Sequence, residues 1–160
     1  MSIRPLETRD VESILVIQSA CPEIAQWTAA DYERVAQGEM VGWVSENPAF
    51  GRHPEERSEE GSLLNVNGFL VARRVASDVE ILNFAVRPDA RRKGAGVALL
   101  QTALHWARAF SAEQAILEVR SANQTALRFY EHHKFQIAGR RRNYYNSPAD
   151  DALLLTLRIE

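Results

Sequence analysis

An apolar strand, a basic glycine loop and an amphipathic helix follow one another between residues 79 and 110. The run VEILNFAV leads into the loop RPDARRKGAG, and apolar residues then recur at helical spacing. A helix that follows a strand in this way packs against the sheet of that strand, because both elements have an apolar face to bury. The junction therefore restricts the chain to an α/β architecture. We expect Val97, Leu100, Leu104 and Ala107 to form the buried face of the helix.

The glycine loop combines positive charge with backbone that a ligand can approach closely. Arg91, Arg92 and Lys93 precede Gly94 and Gly96 at the start of the helix. The first N–H groups of a helix lack partners within it, and glycine lets a phosphate reach them. Neither a Walker loop nor the third glycine of a dinucleotide-binding fingerprint is present. The pattern predicts a pyrophosphate site, and a solvated basic loop with a glycine turn stays open as the alternative.

The hydrophobic pattern predicts elements in the order β-α-α-β-β-β-α-β-α-β-β. We therefore expect a mixed α/β fold with a single central mixed β-sheet flanked by helices, formed by one domain over residues 1–160. Thr28 and Asp31 predict a capping box at the start of the second helix, and Gly38 predicts its end. Residues 47–62 are polar and charged and contain prolines and glycines, which predicts a flexible charged insertion.

Composition excludes several classes of function. The 160 residues carry a net charge of -2 and are 46% hydrophobic, which supports a packed core and argues against direct nucleic-acid binding. No run approaches the roughly 20 apolar residues of a membrane span, and the first ten residues lack a signal core, so we expect a cytoplasmic protein outside the membrane. Cys21 is the single cysteine, and His132 and His133 have no third ligand nearby, so neither a disulfide nor a metal site is predicted. Monomer and homodimer are both compatible with the sequence.

A second segment, AILEVRSANQTALRFYEHHKF, carries two candidate acid–base residues. Glu118 lies in an apolar strand, where alternation places its side chain on the face opposite to Leu117 and Val119. A carboxylate partly removed from water can act as a general base, although the same pattern fits a glutamate that faces solvent from an edge strand. Asn123 predicts the N-cap of the next helix, and Tyr130 lies on the same side of that helix. A tyrosine at such a position is, by itself, more often a core residue.

Taken together, the strand LNFAV, the loop RRKGAG, the segment LEVRSANQTALRFYEHHKF and the run RRNYY resemble the GNAT acetyltransferases. More narrowly, they are similar to the bacterial ribosomal-protein-alanine N-acetyltransferases. The resemblance extends from about Glu80 to Arg158, weakens over the N-terminal helices and fails in residues 47–62. A Pro-Trp pair that often follows the first helix in that family is represented here by Trp27 alone. The resemblance implies the GNAT fold for the predicted sheet.

The resemblance also implies the roles of individual residues. Glu118 corresponds to the general base of the family and Tyr130 to its general acid. Acetyl-CoA is the implied co-substrate, and Asn123 is implied to contact it near the thioester. The residues implied to hold its pantetheine arm and its pyrophosphate are Phe84, Ala85, Val86, Arg91, Arg92, Lys93, Gly94, Ala95, Gly96 and Val97.

The implied reaction is acetyl transfer to a primary amine. The resemblance favours the N-terminal α-amine of a protein or peptide, with a ribosomal protein as the example that it offers. Two alternatives stay open, acetylation of a small-molecule amine and a sensing module that binds coenzyme A without turnover. The presence of both Glu118 and Tyr130 argues against the sensing module, because binding alone requires neither. The tyrosines of RRNYY are expected to border the acceptor groove.

Overall fold

The computed structural model describes residues 1–47 and 65–160. The elements in these ranges are β1 (Ser2–Pro5), α1 (Val11–Ser19), α2 (Ala29–Ala36), β2 (Val41–Glu46), β3 (Val66–Val75), β4 (Asp78–Val86), α3 (Ala95–Ala109), β5 (Gln114–Arg120), α4 (Gln124–His132), β6 (Gln136–Asn146) and β7 (Ala149–Arg158). Their order is the predicted one, so the α/β class and the succession of elements are confirmed. The predicted insertion at 47–62 lies outside the described residues except for Asn47.

The described strands form one mixed sheet in the order β1-β2-β3-β4-β5-β7-β6. The β4–β5 pair is parallel, and the other neighbouring pairs are antiparallel. Helices α1 and α2 cover one face, where Ile14, Tyr32 and Phe69 are fully buried. Helices α3 and α4 cover the opposite face with a second core that contains Leu99 and Leu117. No helix in residues 1–47 or 65–160 has the length and apolar character needed to cross a bilayer.

The ends of α2 follow the local signals of the sequence. The Asp31 N–H donates to Thr28 Oγ1 at 3.2 Å, and the Thr28 N–H donates to Asp31 Oδ2 at 2.8 Å, which is the predicted capping box. Gly38, with a φ of 94°, adopts the left-handed backbone that ends a helix. Helix α2 is therefore bounded by its own sequence at both ends.

The buried face of α3 differs from the prediction at one position. Val97 is 42% exposed. The prediction for Val97 was wrong because the helix begins at Ala95, and Val97 points away from the sheet in the first turn. The buried residues of the helix are Ala95, Leu99, Leu100, Ala103, Leu104 and Ala107.

A β-bulge in β4 reverses the direction of its side chains halfway along the strand. Two successive residues of β3 face Ile81 and Asn83, so Leu82 has no residue opposite it. One inserted residue turns every later side chain to the other face of the sheet. Ile81 therefore packs in the core under α3 and α4, whereas Asn83 points toward α1 and α2. Phe84, which follows, points back toward α4.

Strands β4 and β5 pair over a short distance and then diverge. Their parallel ladder joins residues 78–80 to residues 114–116, and the bulge in β4 follows directly. Residues 81–86 of β4 and 117–120 of β5 have no ladder between them. Because β3 and β7 still hold the outer edges of the two strands, the divergence opens a slot through the sheet. Backbone N–H and C=O groups along such a slot are available to a ligand.

Candidate active site

A cleft of about 350 Å³ occupies the slot between β4 and β5. Its walls come from both strands, from the α1–α2 connection, from α4 and from the end of β6. Phe84, Glu118, Asn123 and Tyr130 all line it. The structure thus brings four of the residues singled out from the sequence into one concave site, as substrate binding requires.

Glu118 reaches the cleft from the face opposite to α3 and α4. Leu117 and Val119 are buried beneath those helices, as alternation predicts, and the Glu118 side chain is 25% exposed. Its Oε1 forms an ion pair with Nε of Arg141 at 3.1 Å. Arg141 stands on β6, and β7 lies between β6 and β5. The carboxylate is therefore held at the wall of the cleft by a partner that sequence reasoning did not identify.

Tyr130 reaches the same cleft from the α4 side. Its ring packs against Phe84, Phe129 and Phe135, with centroids 6.3, 5.4 and 5.4 Å away. Burial raises the pKa of Tyr130 well above the ordinary value of a tyrosine, so its hydroxyl carries a proton at neutral pH. Tyr130 therefore fits both interpretations of the sequence, because it packs in the core and also lines the cleft. Glu118 and Tyr130 thus face the slot from opposite sides of the sheet.

Asn123 combines a structural position with a place in the cleft wall. Its Oδ1 accepts a hydrogen bond from the Ala126 N–H at 3.1 Å, which confirms the predicted N-cap of α4. The same residue lines the cleft next to the start of that helix. A ligand in the slot therefore lies beside the N-terminus of α4, whose free N–H groups favour negative charge.

The basic loop turns sharply where it enters α3. Arg92 and Gly94 both have a left-handed backbone, with φ of 60° and 92°. Gly94 is the N-cap of α3 and provides no side-chain cap. Successive N–H groups in such a curl, placed at a helix N-terminus, form an anion-binding concavity. With exposed Arg92 and Lys93 beside it, the loop fits the pyrophosphate of a nucleotide cofactor.

Arg91 is oriented differently from its two basic neighbours. Its Nε donates to the carbonyl oxygen of Val86 at 3.0 Å, and its Nη2 donates to Cys21 Sγ at 3.2 Å and lies 3.4 Å from Glu23 Oε1. These contacts tie the end of β4 to the α1–α2 connection. Burial raises the pKa of the Cys21 thiol, which fits a packing role. That Arg91 and Val86 contact the cofactor stays a prediction. In this structure, the Arg91 guanidinium and the Val86 carbonyl are already hydrogen-bonded to each other.

A buried polar network that the sequence did not reveal supports the α1–α2 connection. Tyr32 Oη donates to Gln18 Oε1 at 2.5 Å and accepts from Asn83 Nδ2 at 3.0 Å. Asn83 Nδ2 also donates to the Ala25 carbonyl at 3.0 Å, and Gln18 forms hydrogen bonds of 2.9 and 3.0 Å with the Trp27 backbone. Asn83, inside the apolar run ILNFAV, was the one sign of this network in the sequence, because a polar side chain in a buried strand needs buried hydrogen-bond partners.

The two tyrosines of the run RRNYY line the cleft. Residues 142–144 of β6 face a single residue of β7, Asp151, whose carboxylate accepts from the Asn143 N–H at 2.9 Å. This bulge places Tyr144 and Tyr145 in the cleft wall. Tyr144 is 48% exposed, and the Arg120 guanidinium lies 4.1 Å from the centre of the Tyr145 ring. This rim of the cleft therefore carries aromatic and cationic groups.

The two adjacent histidines contact each other edge to face. The rings of His132 and His133 lie 5.2 Å apart, and His133 also packs on Phe129 at 4.6 Å. Burial, together with the neighbouring His132, lowers the pKa of His133. Across residues 1–47 and 65–160, no group of three or more His, Cys, Asp or Glu side chains is placed to hold a metal ion.

Comparison with known proteins identifies a family and several relatives that this chain matches. Residues 15–135 match the model of the Acetyltransferase (GNAT) family. The chain is 31% identical over 141 residues to N-alpha-acetyltransferase RimI of Mycobacterium tuberculosis, covering 81% of this chain and 87% of that protein. It is 27% identical over 158 residues to a Bacillus subtilis protein with the provisional name ribosomal protein bS18-alanine N-acetyltransferase, covering 99% and 95%. The crystal structure of a ribosomal-protein alanine N-acetyltransferase from Escherichia coli shares the fold, with a TM-score of 0.77 and 24% identity over 99% of this chain and 94% of that one.

Proposed function

This chain belongs to the GNAT acetyltransferase family and is an acetyl-CoA-dependent N-acetyltransferase, and we propose that its acceptor is the α-amine at the N-terminus of a protein. The observation that carries the proposal is the cleft through the sheet, with Glu118 on one side and Tyr130 on the other. A slot of this kind lets an amine and a thioester meet from opposite faces. The two side chains are then placed for opposite proton transfers.

Glu118 is the proposed general base. An α-amine has a pKa of about 8, so most of it is ammonium at neutral pH and must lose a proton before it can attack a carbonyl carbon. The carboxylate of Glu118 pairs with Arg141 and lines the cleft. It accepts the proton directly or through one water molecule. Glu118→Gln keeps the size of the side chain and removes this capacity.

Tyr130 is the proposed general acid. When the new amide forms, the bond between the acetyl carbon and the sulfur of coenzyme A breaks, and the sulfur leaves with its electron pair. The Tyr130 hydroxyl is protonated because burial raises its pKa, and it donates its proton to the departing sulfur. The hydrophobic packing of the ring against Phe84 fixes its direction.

The proposed binding surface for acetyl-CoA runs from the free edge of β4 to the basic loop. Phe84 and Ala85 belong to the part of β4 that lacks a β5 partner. The Phe84 N–H donates to Asn83 Oδ1 at 3.1 Å, and the remaining backbone groups on this edge are proposed to pair with the amide groups of a pantetheine arm. Arg92 and the N–H groups at the start of α3 hold the pyrophosphate. Arg91 contributes by fixing the loop to the α1–α2 connection.

A protein acceptor is favoured over a small amine by the names of the relatives and by the shape of the rim. Two relatives that align with most of this chain are named as enzymes that acetylate an N-terminal α-amine or a ribosomal-protein alanine. The cleft continues onto an exposed rim at Tyr144, where residues beyond the first can lie. A ribosomal protein that begins with alanine is the most specific acceptor that these relatives suggest.

Thiol release from acetyl-CoA, measured with an alanine-initiated peptide and with a panel of small amines, tests the proposal. We expect peptide-dependent release, and we expect Glu118→Gln to lower kcat by about a hundredfold or more. Release with small amines alone would move the function to metabolite acetylation. Binding of acetyl-CoA without release in any reaction would support a sensing module. Unchanged turnover in Glu118→Gln would reject the assignment of the base.

A further inference from the structure

The ion pair between Glu118 and Arg141 joins the proposed base to a largely exposed cation. The Arg141 side chain is 61% exposed, compared with 25% for Glu118, and its guanidinium carbon lies 5.5 Å from the centre of the Tyr144 ring. Arg141 is therefore at the mouth of the cleft and not in its interior. A group that enters the cleft toward Glu118 passes beside this guanidinium.

The charges around the cleft are unevenly compensated. Glu23 pairs with Arg91 and Glu80 pairs with Arg73, so these two carboxylates in the cleft wall have cations that lie away from the β6 rim. At the rim itself, Arg142 is exposed and has no hydrogen-bond or ion-pair partner among the described residues.

Proton transfer to Glu118 removes the charged partner of Arg141. Within the part of the chain that the structure describes, Glu118 is the one carboxylate paired with Arg141. When Glu118 takes the proton of the acceptor ammonium, its negative charge disappears and Arg141 loses its partner. A second carboxylate near Arg141 would keep the guanidinium paired throughout the reaction. The two other carboxylates at this rim are already engaged, Asp150 with Ser121 and Asp151 with Arg140, which leaves the acceptor as the source.

We propose that Arg141 recognises an acidic side chain, aspartate or glutamate, at the second or third residue of the acceptor N-terminus. The inference rests on the proposed acetylation of protein N-termini. Consecutive residues of an extended chain are about 3.5 Å apart, so an acceptor whose amine lies at Glu118 carries its second and third side chains past Arg141. Arg142 stands next to Arg141 on β6 and adds to the positive field at this end of the cleft.

A matched set of peptides tests the proposal. The peptides begin with alanine and differ at the second and third residues only, where they carry Asp-Asp, Asn-Asn or Lys-Lys. We expect kcat/KM for the Asp-Asp peptide to exceed that for the Asn-Asn peptide by about three- to tenfold, and the difference to shrink as salt is raised. The Lys-Lys peptide should be the poorest acceptor of the three.

Three variants of this chain separate recognition from a general structural effect. Arg141→Gln should abolish the ratio between Asp-Asp and Asn-Asn peptides, and Arg141→Lys should restore part of it, because the charge is kept and the planar fork is lost. Arg158→Gln removes an exposed arginine at the far end of β7 and should leave the ratio as in the parent chain. Thermal unfolding of all three variants confirms that each is folded.

The outcomes distinguish the two proposals. Equal rates for the Asp-Asp and Asn-Asn peptides, or an unchanged ratio in Arg141→Gln, would overturn acidic recognition and leave N-terminal acetylation intact. Absence of turnover with every peptide, together with turnover of small amines, would overturn both.

Discussion

Tyr32→Phe is expected to destabilise the fold and to loosen the acceptor wall of the cleft. The substitution removes one hydroxyl from a fully buried side chain and leaves the packing of the ring on Phe69, at a centroid distance of 5.5 Å, unchanged. The hydroxyl makes two hydrogen bonds, one to Gln18 and one from Asn83. Its loss therefore tests the buried network alone.

The expected loss of stability follows from the hydrogen bonds that Gln18 and Asn83 retain in the variant. Gln18 Oε1 keeps the Trp27 N–H at 3.0 Å, and Asn83 Nδ2 keeps the Ala25 carbonyl at 3.0 Å, so neither group is left without a partner. Two lost hydrogen bonds at about 1 kcal/mol each give a decrease in the free energy of unfolding of about 2 kcal/mol. For a chain of this size, that corresponds to a decrease in Tm of about 4–8 °C.

Urea denaturation and thermal unfolding measure the stability effect, and steady-state kinetics measure the effect on the cleft. Because the network holds the backbone of Ala25 and Trp27, both in the cleft wall, KM for the acceptor should rise more than KM for acetyl-CoA. For the stability measurement, Tyr144→Phe is the matched control, since that side chain is 48% exposed. A loss of stability below about 0.5 kcal/mol, or one equal to that of the control, would show that the hydroxyl does not support this region.

Three further perturbations address the loop, the proposed acid and the rim. Gly94→Ala, at a φ of 92°, should cost about 1 kcal/mol of stability and weaken acetyl-CoA binding in calorimetry, whereas Gly139→Ala, with ordinary contacts of 3.8 Å, should be neutral. Tyr130→Phe should lower kcat about a hundredfold, and KM for acetyl-CoA should stay similar. Because burial raises the pKa of Tyr130, the parent enzyme should lose no activity between pH 8 and 10 through ionisation of this hydroxyl. The hydrogen bond from the Asn143 N–H, and then that from Arg140, lowers the pKa of Asp151. The ionised Asp151 therefore stabilises the fold above its unfolded pKa of about 4, and this stabilisation is lost as the pH falls through its folded pKa. Asp151→Asn should therefore flatten the acid side of the stability profile measured by thermal unfolding.

Features that depend on neighbouring residues in the chain were predictable from the sequence. The capping box of Thr28 and Asp31, the helix end at Gly38 and the N-cap at Asn123 each involve groups within a few residues of one another. The direction of Glu118 followed from the period of a single strand. Such patterns define elements and faces, and they were sufficient for the order of the fold.

Features that depend on pairing between distant segments were not predictable in the same way. The bulge at Leu82 is a property of how β3 and β4 align, and strand periodicity alone does not reveal an extra residue. The pair formed by Arg141 and Glu118 exists because β7 brings β6 within reach of β5. The orientation of Arg91 depends on Cys21, which lies on a distant segment of the chain. In each case, the tertiary arrangement selects one of several partners that the sequence allows.

The outermost strands of the sheet have a consequence for self-association. Among the described residues, these are β1, with four residues that end at Pro5, and β6, with the arginine run and the bulge at 142–144. Proline lacks an N–H, and charged side chains and bulges disfavour the addition of a strand from another molecule. Both rims of the sheet are therefore protected against edge-to-edge aggregation. Any dimer of this chain is expected to form through helical surfaces, and the slot between β4 and β5 stays inside each copy.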